Sequence, residues 1–271
     1  MATSSSPAYK IDRILYDLDK SEIPIFGSSR AEGTFIPTLL GKQFFNYGIT
    51  STGDDVLLFF LEQECKKVKS TPYILFNFDL EGFTYSLGDL NNYIMDANNK
   101  YVQELLGDSN KIYYKVPFIK YFGNYMVYFK DYLNSKMMVT KYEDKGASIE
   151  KNQLTSDKFA FLIAERRQWE TEFVWDKKLQ AKFNHVLTGN PDKIFIIVIP
   201  PYHKSYFEKY LNYNKVLEYL DTLSGMPNVK ILNFSHLIFP DKYFFNTTHL
   251  NYEGALVFNK MLKDSLTIIC K

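Results

Sequence analysis

In the N-terminal third of the chain, short apolar runs alternate with longer segments whose hydrophobic residues have helical spacing. The runs at 22–26, 42–47 and 72–80 predict three strands. The segment 54–68 predicts a helix, with two aspartates at its start that complement the helix dipole. Strands that alternate with helices are typical of a parallel sheet covered by helices on both faces.

The same alternation returns in the C-terminal part of the chain. The run 193–199 is the strongest predicted strand, and 229–234 predicts a fifth strand. Helices are predicted over 205–223 and 252–265. We therefore expect one domain over residues 1–271, with the flavodoxin-like three-layer α/β/α sandwich and a parallel sheet of about five strands.

The stretch between these two parts, at about 84–187, lacks the strand pattern and is rich in Tyr, Asn and Lys. It predicts a helical, aromatic-rich insertion, and insertions of this length often cap a site. Within it, the polar residues 143–153 predict a loop, and 158–187 has a long helical pattern. Trp169 and Trp175 are expected either to line a sugar-binding cap or to pack in the core.

Composition excludes few classes of function. The net charge of +1 gives no indication of a nucleic-acid partner. The aromatic share of 17% fits either an AT-rich coding bias or a broad apolar cleft for sugars or acyl chains. Neither a signal peptide nor a membrane span is predicted, so we expect a cytoplasmic protein if the chain is complete and a cell-envelope protein if it is trimmed.

The spacing of ligand-type residues predicts neither a metal nor a cofactor. No cluster of His, Cys and Asp has zinc-ligand spacing, and no glycine-rich loop fits a phosphate or a dinucleotide. The two cysteines, Cys65 and Cys270, lie far apart in the sequence. They are expected to be free thiols without a chemical role.

Candidate chemistry collects where the predicted strands end. Ligands of open parallel sheets bind beyond the carboxyl ends of the strands. Small, polar and ionisable residues follow these ends or precede the last helix: Gly27, Ser28, Ser29 and Arg30; Asn46 and Gly48; Asp79; His203; and Asn246 to His249. A hydroxyl, an imidazole and backbone donors are the groups that acyl transfer requires.

Three segments of the sequence resemble conserved blocks of one superfamily. FGSSRAEGTFIP resembles the first block of the SGNH (GDSL-type) hydrolases, in the variant of DltD-like bacterial members where Gly-Ser-Ser replaces Gly-Asp-Ser. FFNYGITSTG is similar to the second block, and NTTHLNYEGA to the final D-x-x-H-L-N-x-x-G-A block. The three blocks occur in the family's order.

The resemblance implies roles for individual residues. Ser29 matches the nucleophile and His249 the general base, while the N–H groups of Ser29 and Gly48 would be the oxyanion donors. Ser29 would lie at a helix N-terminus, where the dipole favours negative charge. Asn46, in the second block, is placed with the oxyanion and substrate-binding residues.

Asn246 is the first departure from the family pattern, because the family has Asp three residues before the histidine. In a serine protease triad, that change lowers turnover about ten-thousand-fold. Three outcomes are open. The enzyme works as a Ser–His dyad, another acid such as Asp241 substitutes, or the activity is lost.

The third block is the second departure. Gly-x-Asn-Asp is expected, and the chain has Phe-Asn-Phe-Asp at 76–79. The oxyanion asparagine is therefore missing or displaced to Asn77. Arg30 is expected to contact an anionic group, to be a solvated arginine in the first turn of the helix, or to form a salt bridge with Asp79. His203 is expected to bind substrate, to cap a helix or to lie on the surface.

The resemblance implies a serine esterase or O-acyltransferase. The substrate would be an acyl or acetyl ester of a carbohydrate or cell-envelope polymer, and the intermediate an acyl-Ser29. The alternative is a catalytically silent protein of the same fold that binds or assembles components in polysaccharide or envelope biosynthesis. A plain flavodoxin-like cofactor binder is disfavoured, since no phosphate-binding loop is seen.

Overall fold

The structure is a computed structural model that describes residues 4–17, 19–83, 102–103, 141–173 and 175–270. Its strands form one main sheet and one separate hairpin. In chain order they are β1 (Ile23–Phe26), β2 (Phe44–Asn46), β3 (Tyr73–Asn77), β4 (Lys141–Asp144), β5 (Ala147–Glu150), β6 (Ile194–Ile199) and β7 (Val229–Asn233). All five strands predicted from the sequence are present.

Helices connect these strands and cover the main sheet. In the described part of the chain they are α1 (Pro7–Tyr16), α2 (Ser29–Glu32), α3 (Pro37–Leu40), α4 (Asp54–Cys65), α5 (Ser156–Gln168), α6 (Lys177–Gly189), α7 (Tyr213–Ser224) and α8 (Tyr252–Ile269). Two 3₁₀ turns, Lys204–Tyr206 and Asp241–Tyr243, lie in the loops after β6 and β7. None of these described helices is long and apolar enough to cross a membrane.

The main sheet has the strand order β2-β1-β3-β6-β7, and every pair is parallel. Counted along the sheet, this is the 2-1-3-4-5 order of flavodoxin-like doubly wound folds. The order changes direction at β1 and β3, so the loops after these two strands diverge and leave a crevice at their carboxyl ends. The predicted fold class is confirmed.

Alternate residues of each strand supply the two cores. In β6, Phe195 and Ile197 pack on one face with residues from α1, α4, α6 and α7. Ile196 and Val198 pack on the other face with residues from α2 and α8. Because successive side chains of a strand point to opposite faces, a run of apolar residues buries both faces and requires helices on each.

The predicted insertion differs from the observed chain. The expected loop at 143–153 contains instead the β4–β5 hairpin, whose buried residues Ala147 and Ile149 alternate with half-buried ones. Lys145 and Gly146 at its tip both have positive φ, +40° and +90°, as tight hairpin turns require. Residues 84–101 and 104–140, also assigned to the insertion, lie outside the described residues.

The single helix expected over 158–187 is two helices. α5 ends before Trp169, which is 63% exposed. Trp175 packs between Phe173 and Tyr219, with ring centroids 4.0 Å away in both cases. α6 belongs to the sandwich, since Phe183 contacts Phe76 of β3 at 4.8 Å between ring centroids, and it is the crossover helix before β6.

Candidate active site

A sharp turn carries the chain from β1 into α2. Gly27 has φ +155°, and a Cβ there would lie 2.6 Å from the Ala31 Cβ and 2.7 Å from the Asn77 Cβ, so only glycine fits. Ser28 is the N-cap, and its Oγ accepts a hydrogen bond from the Arg30 N–H at 3.2 Å. Ser29 is consequently the first helical residue, just beyond the carboxyl end of β1.

Ser29 faces His249, 220 positions away in the sequence. The Ser29 Oγ lies 3.0 Å from the His249 Nε2. His249 precedes α8, whose N-cap Asn251 accepts from the Gly254 N–H at 3.0 Å. The ring packs over Gly33, where a Cβ would stand 3.8 Å from the His249 Cδ2. The sheet and α8 thus place a hydroxyl and an imidazole within hydrogen-bonding distance.

Asn246 fixes the tautomer of this imidazole. Its Oδ1 accepts the backbone N–H groups of Thr248 at 2.9 Å and His249 at 2.8 Å, and lies 3.1 Å from the His249 Nδ1. Backbone N–H groups only donate, so the atom that faces them is the oxygen. The His249 Nδ1 therefore carries the proton and donates to Asn246, which leaves Nε2 as an acceptor for the Ser29 hydroxyl.

No carboxylate replaces the missing aspartate among the described contacts of His249. The Thr248 Oγ1 lies 2.9 Å from the Nδ1 and donates to the Asn246 Oδ1. Burial lowers the pKa of His249 to about 4, and the Arg30 guanidinium acts in the same direction. The imidazole is therefore neutral at neutral pH, as a general base must be.

Asp241, the acid considered as a substitute for the missing aspartate, contacts His203 instead of His249. Its Oδ1 is 3.2 Å from the His203 Nε2. The hypothesis that Asp241 supports His249 is therefore wrong. The loop that contains both Asp241 and His249 turns between them, so proximity in sequence does not bring the carboxylate to the His249 ring.

His203 has no ring nitrogen left for a substrate. It is fully buried, its Nδ1 accepts from the Ser205 N–H at 3.2 Å, and its Nε2 reaches Asp241. The expectation that it binds substrate is not supported by this geometry. The alternative, a capping role, agrees with its position as the N-cap of the 3₁₀ turn Lys204–Tyr206.

Gly48 and Asn46 hold the turn after β2 against α2. The Gly48 N–H donates to the Asn46 Oδ1 at 2.8 Å, and the Asn46 amide donates to the Ala31 and Phe35 carbonyls at 2.8 and 3.0 Å. A Cβ on Gly48 would overlap the backbone of Glu32. An oxyanion role for Gly48 would require release of that bond, and the fully buried Asn46 has no polar atom left for substrate.

Arg30 is turned away from Ser29 and buried. Its guanidinium carbon lies 3.4 Å from the ring centroid of Tyr202, and its Nε lies 3.3 Å from the Asp79 Oδ1. Of the alternatives for Arg30, the structure contains the salt bridge to Asp79, and the side chain is not solvated. Its stacking on Tyr202 adds a cation–π contact that no sequence pattern predicts.

Asp79 is a half-buried ionisable group beside the turn that precedes Ser29. The Ser28 hydroxyl donates to its Oδ2, and the Asn77 amide donates to its Oδ1 at 2.6 Å. Burial raises the pKa of Asp79 to about 6, although Arg30 acts to lower it. Asn77, considered as a displaced oxyanion donor, thus directs its amide to Asp79.

Sequence reasoning missed two residues that shape the site, Thr248 and Gly33. Thr248 was part of the matched block, but its hydroxyl gave no signal of a contact with the histidine ring. Gly33 lies one turn after Ser29, and its close approach to His249 depends on the packing of α2. No group of three or more His, Cys, Asp or Glu residues in the described ranges is placed to hold a metal ion.

Comparisons with known proteins add little to this geometry. No family model and no curated protein matches the chain. Matches among solved structures include a protein from Streptococcus pneumonia described as "a putative platelet activating factor". It is 13% identical with a TM-score of 0.47, and the match covers 96% of this chain and 90% of that one.

Proposed function

We propose that the protein is a serine esterase or O-acyltransferase with Ser29 as nucleophile and His249 as general base. The contact of 3.0 Å between the Ser29 Oγ and the His249 Nε2 carries this proposal. It is supported by the hydrogen bonds of Asn246, which leave Nε2 free to accept a proton. A nucleophile, a base and a group that orients the base are the arrangement that acyl transfer requires.

In the first half-reaction, the Ser29 oxygen attacks the carbonyl carbon of the ester as its proton passes to the His249 Nε2. The oxyanion forms next to the first turn of α2, where the Ser29 N–H has no partner within the helix and the dipole favours negative charge. Collapse breaks the ester C–O bond, and His249 returns its proton to the departing alcohol. Water or an acceptor hydroxyl then attacks the acyl-Ser29 by the reverse sequence.

Asn246 gives this dyad a particular limitation. In the protease triad, exchange of Asp for Asn costs about 10⁴ in turnover, chiefly through the wrong tautomer. Here the two backbone N–H groups hold the amide oxygen toward the ring, so the productive tautomer is kept. What is missing is a negative charge to stabilise the imidazolium, and we expect turnover to be slow for that reason.

The substrate class follows from the resemblance to the SGNH superfamily: an acyl or acetyl ester of a carbohydrate or cell-envelope polymer. The resemblance is limited to the blocks around Ser29, Gly48 and His249. A second candidate function, a silent binding or assembly protein of the same fold, is favoured by one observation. The Gly48 N–H, a family oxyanion donor by resemblance, is already bonded to Asn46.

A fluorophosphonate probe tests the proposal, because it reacts with activated serines only. Wild type and Ser224→Ala, which changes an exposed serine, should be labelled, and Ser29→Ala should not. Labelling of Ser29→Ala, or of none of the three proteins, would contradict Ser29 as an activated nucleophile. Hydrolysis of p-nitrophenyl acetate and of acetylated oligosaccharides then separates an esterase from a silent protein: the silent protein turns over neither.

A further inference from the structure

His203 connects the central sheet to the segment that carries His249. The segment 241–251, here called the histidine loop, begins with the 3₁₀ turn Asp241–Tyr243 and leads to α8. The backbone N–H of His203 donates to the Thr247 carbonyl at 3.2 Å. Thr247 lies inside the turn that Asn246 forms with His249, so this bond ties the end of β6 directly to the turn that orients the catalytic ring.

The ring of His203 makes a second connection to the same loop. Because the Ser205 N–H can only donate, the His203 Nδ1 is an acceptor, so the proton lies on Nε2 and is donated to the Asp241 Oδ1 at 3.2 Å. The ring packs edge-on against Phe159 and Phe244, with centroids 5.5 and 5.2 Å away. This packing leaves the ring no room to turn.

The histidine loop is also held by Phe244 and Leu250, which are buried in the core, by the Gln153 amide, which donates to the Asp241 carbonyl at 2.7 Å, and by its own backbone bonds. The Phe245 N–H donates to the His249 carbonyl at 2.9 Å, and the Asn251 N–H to the Tyr243 carbonyl at 3.0 Å. These backbone bonds close the loop on itself, and Phe244 and Leu250 hold its apolar side against the sheet. His203 holds the loop at two points, Asp241 and Thr247, that precede the catalytic histidine.

We propose that His203 and Asp241 form a positioning pair that sets the distance from His249 to Ser29. This inference rests on the proposed function, since it assigns the pair a role in the same site. His203 touches neither the nucleophile nor the substrate, and its effect passes through the histidine loop. Displacement of a catalytic group by about 1 Å can cost about a hundredfold in rate.

Substitutions at Asp241 test the pair, because its side chain is 53% exposed and lies outside the core. Asp241→Ala removes the acceptor and should lower the rate of Ser29 labelling by about ten- to a hundredfold. Asp241→Asn keeps an oxygen that accepts from the neutral ring and should restore the rate. Asp264→Ala, an exposed aspartate of α8, is the matched control and should label like wild type.

A titration of His249 by NMR separates positioning from a general loss of stability. In wild type, burial holds its pKa at about 4. Release of the loop in Asp241→Ala should expose the ring to water and move its pKa toward the ordinary value of about 6.5. The chain has four histidines, so His249→Gln assigns the signal.

The possible results separate the positioning role of His203 and Asp241 from the proposed function. A wild-type labelling rate in Asp241→Ala, equal losses in Asp241→Ala and Asp241→Asn, or an unchanged pKa of His249 in a slow variant would overturn the positioning role. Absence of labelling in wild type would overturn the proposed function instead. The titration of His249 then still decides whether the pair fixes the loop, because it requires no activity.

Discussion

Two polar clusters lie at opposite ends of the main sheet, and they are built on different chemistry. At the amino ends, Glu22 pairs with Arg13, and Glu64 pairs with Lys67 and Lys69. At the carboxyl ends, Ser29, His249 and Asn246 are connected by hydrogen bonds between neutral groups. The first is here called the amino-end cluster and the second the candidate site.

The difference lies in how each cluster compensates for burial. The amino-end cluster balances charge: Glu64 is 1% exposed, and two ammonium groups reach it, with Lys67 at 2.8 Å. Such pairs are static, since separation would leave an uncompensated buried charge. The candidate site keeps its histidine neutral, with no carboxylate partner among the residues that the structure describes. A proton can therefore arrive at the Nε2 and leave again, which a permanently paired charge does not allow.

The largest effect that separates the two clusters is expected from His249→Ala. Loss of the base should lower the rate of Ser29 labelling at least about a thousandfold, because the serine hydroxyl is a weak nucleophile without it. The free energy of unfolding should change little by comparison. His185→Ala, which changes an exposed histidine of α6, is the control, and equal rates in the two variants would remove His249 from the mechanism.

Glu64→Gln should have the converse effect. Removal of one partner from a buried ion pair destabilises a protein by about 3 kcal/mol. Here Lys67 loses its counter-charge, and Lys69 keeps only Glu22 at 3.9 Å. Labelling of Ser29 below the melting temperature should stay at the wild-type rate. Denaturant unfolding and labelling measure the two quantities separately. A loss of labelling in the folded variant would show that the two ends of the sheet are coupled.

Asn246 tests the orienting contact within the candidate site. Asn246→Ala should lower the labelling rate about thirtyfold, equivalent to about 2 kcal/mol for a buried donor left without its acceptor. Asn246→Asp keeps an oxygen at the same place and adds a charge, so it should raise the pKa of His249 and the labelling rate together. A faster Asn246→Ala variant would contradict the orienting role.

The smallest effect is expected from pH. Because burial lowers the pKa of His249 to about 4, the base form is already complete well below neutrality. The labelling rate should change by less than about twofold between pH 5.5 and pH 8 and fall only as pH drops through about 4. A midpoint near 6.5, the ordinary value for histidine, would show that His249 is solvated in the working protein.

Much of the fold could be predicted because hydrophobic pattern and element type are closely linked. The runs that became β1, β3 and β6 are apolar on both faces, which only a covered parallel strand requires. The β4–β5 hairpin was missed since its alternating residues lie in a polar segment and its turn depends on the positive φ of Lys145. The N-terminal helix α1, which follows the N-cap Ser6, was also not predicted.

The candidate site was likewise predictable only in part. Ser29 and His249 were predicted from local blocks, and the structure places them 3.0 Å apart. The suggested role of Asp241 was wrong, and of the roles suggested for His203 the structure agrees with capping and not with substrate binding. The partners of a polar side chain depend on loops that meet only in the folded protein. The two histidines look alike in the sequence, yet one is bonded at both nitrogens to structural groups and the other faces a serine.

The sequence by itself determined the order of strands and helices, the glycine turn before Ser29 and the identity of the residues in the histidine loop. These follow from local rules of periodicity, capping and backbone freedom. Only the tertiary structure decided that Asn246 presents its oxygen to His249, that Arg30 turns to Tyr202 and Asp79, and that Asp241 belongs to His203. Those contacts depend on desolvation and on distances between segments far apart in the chain, which no local pattern contains.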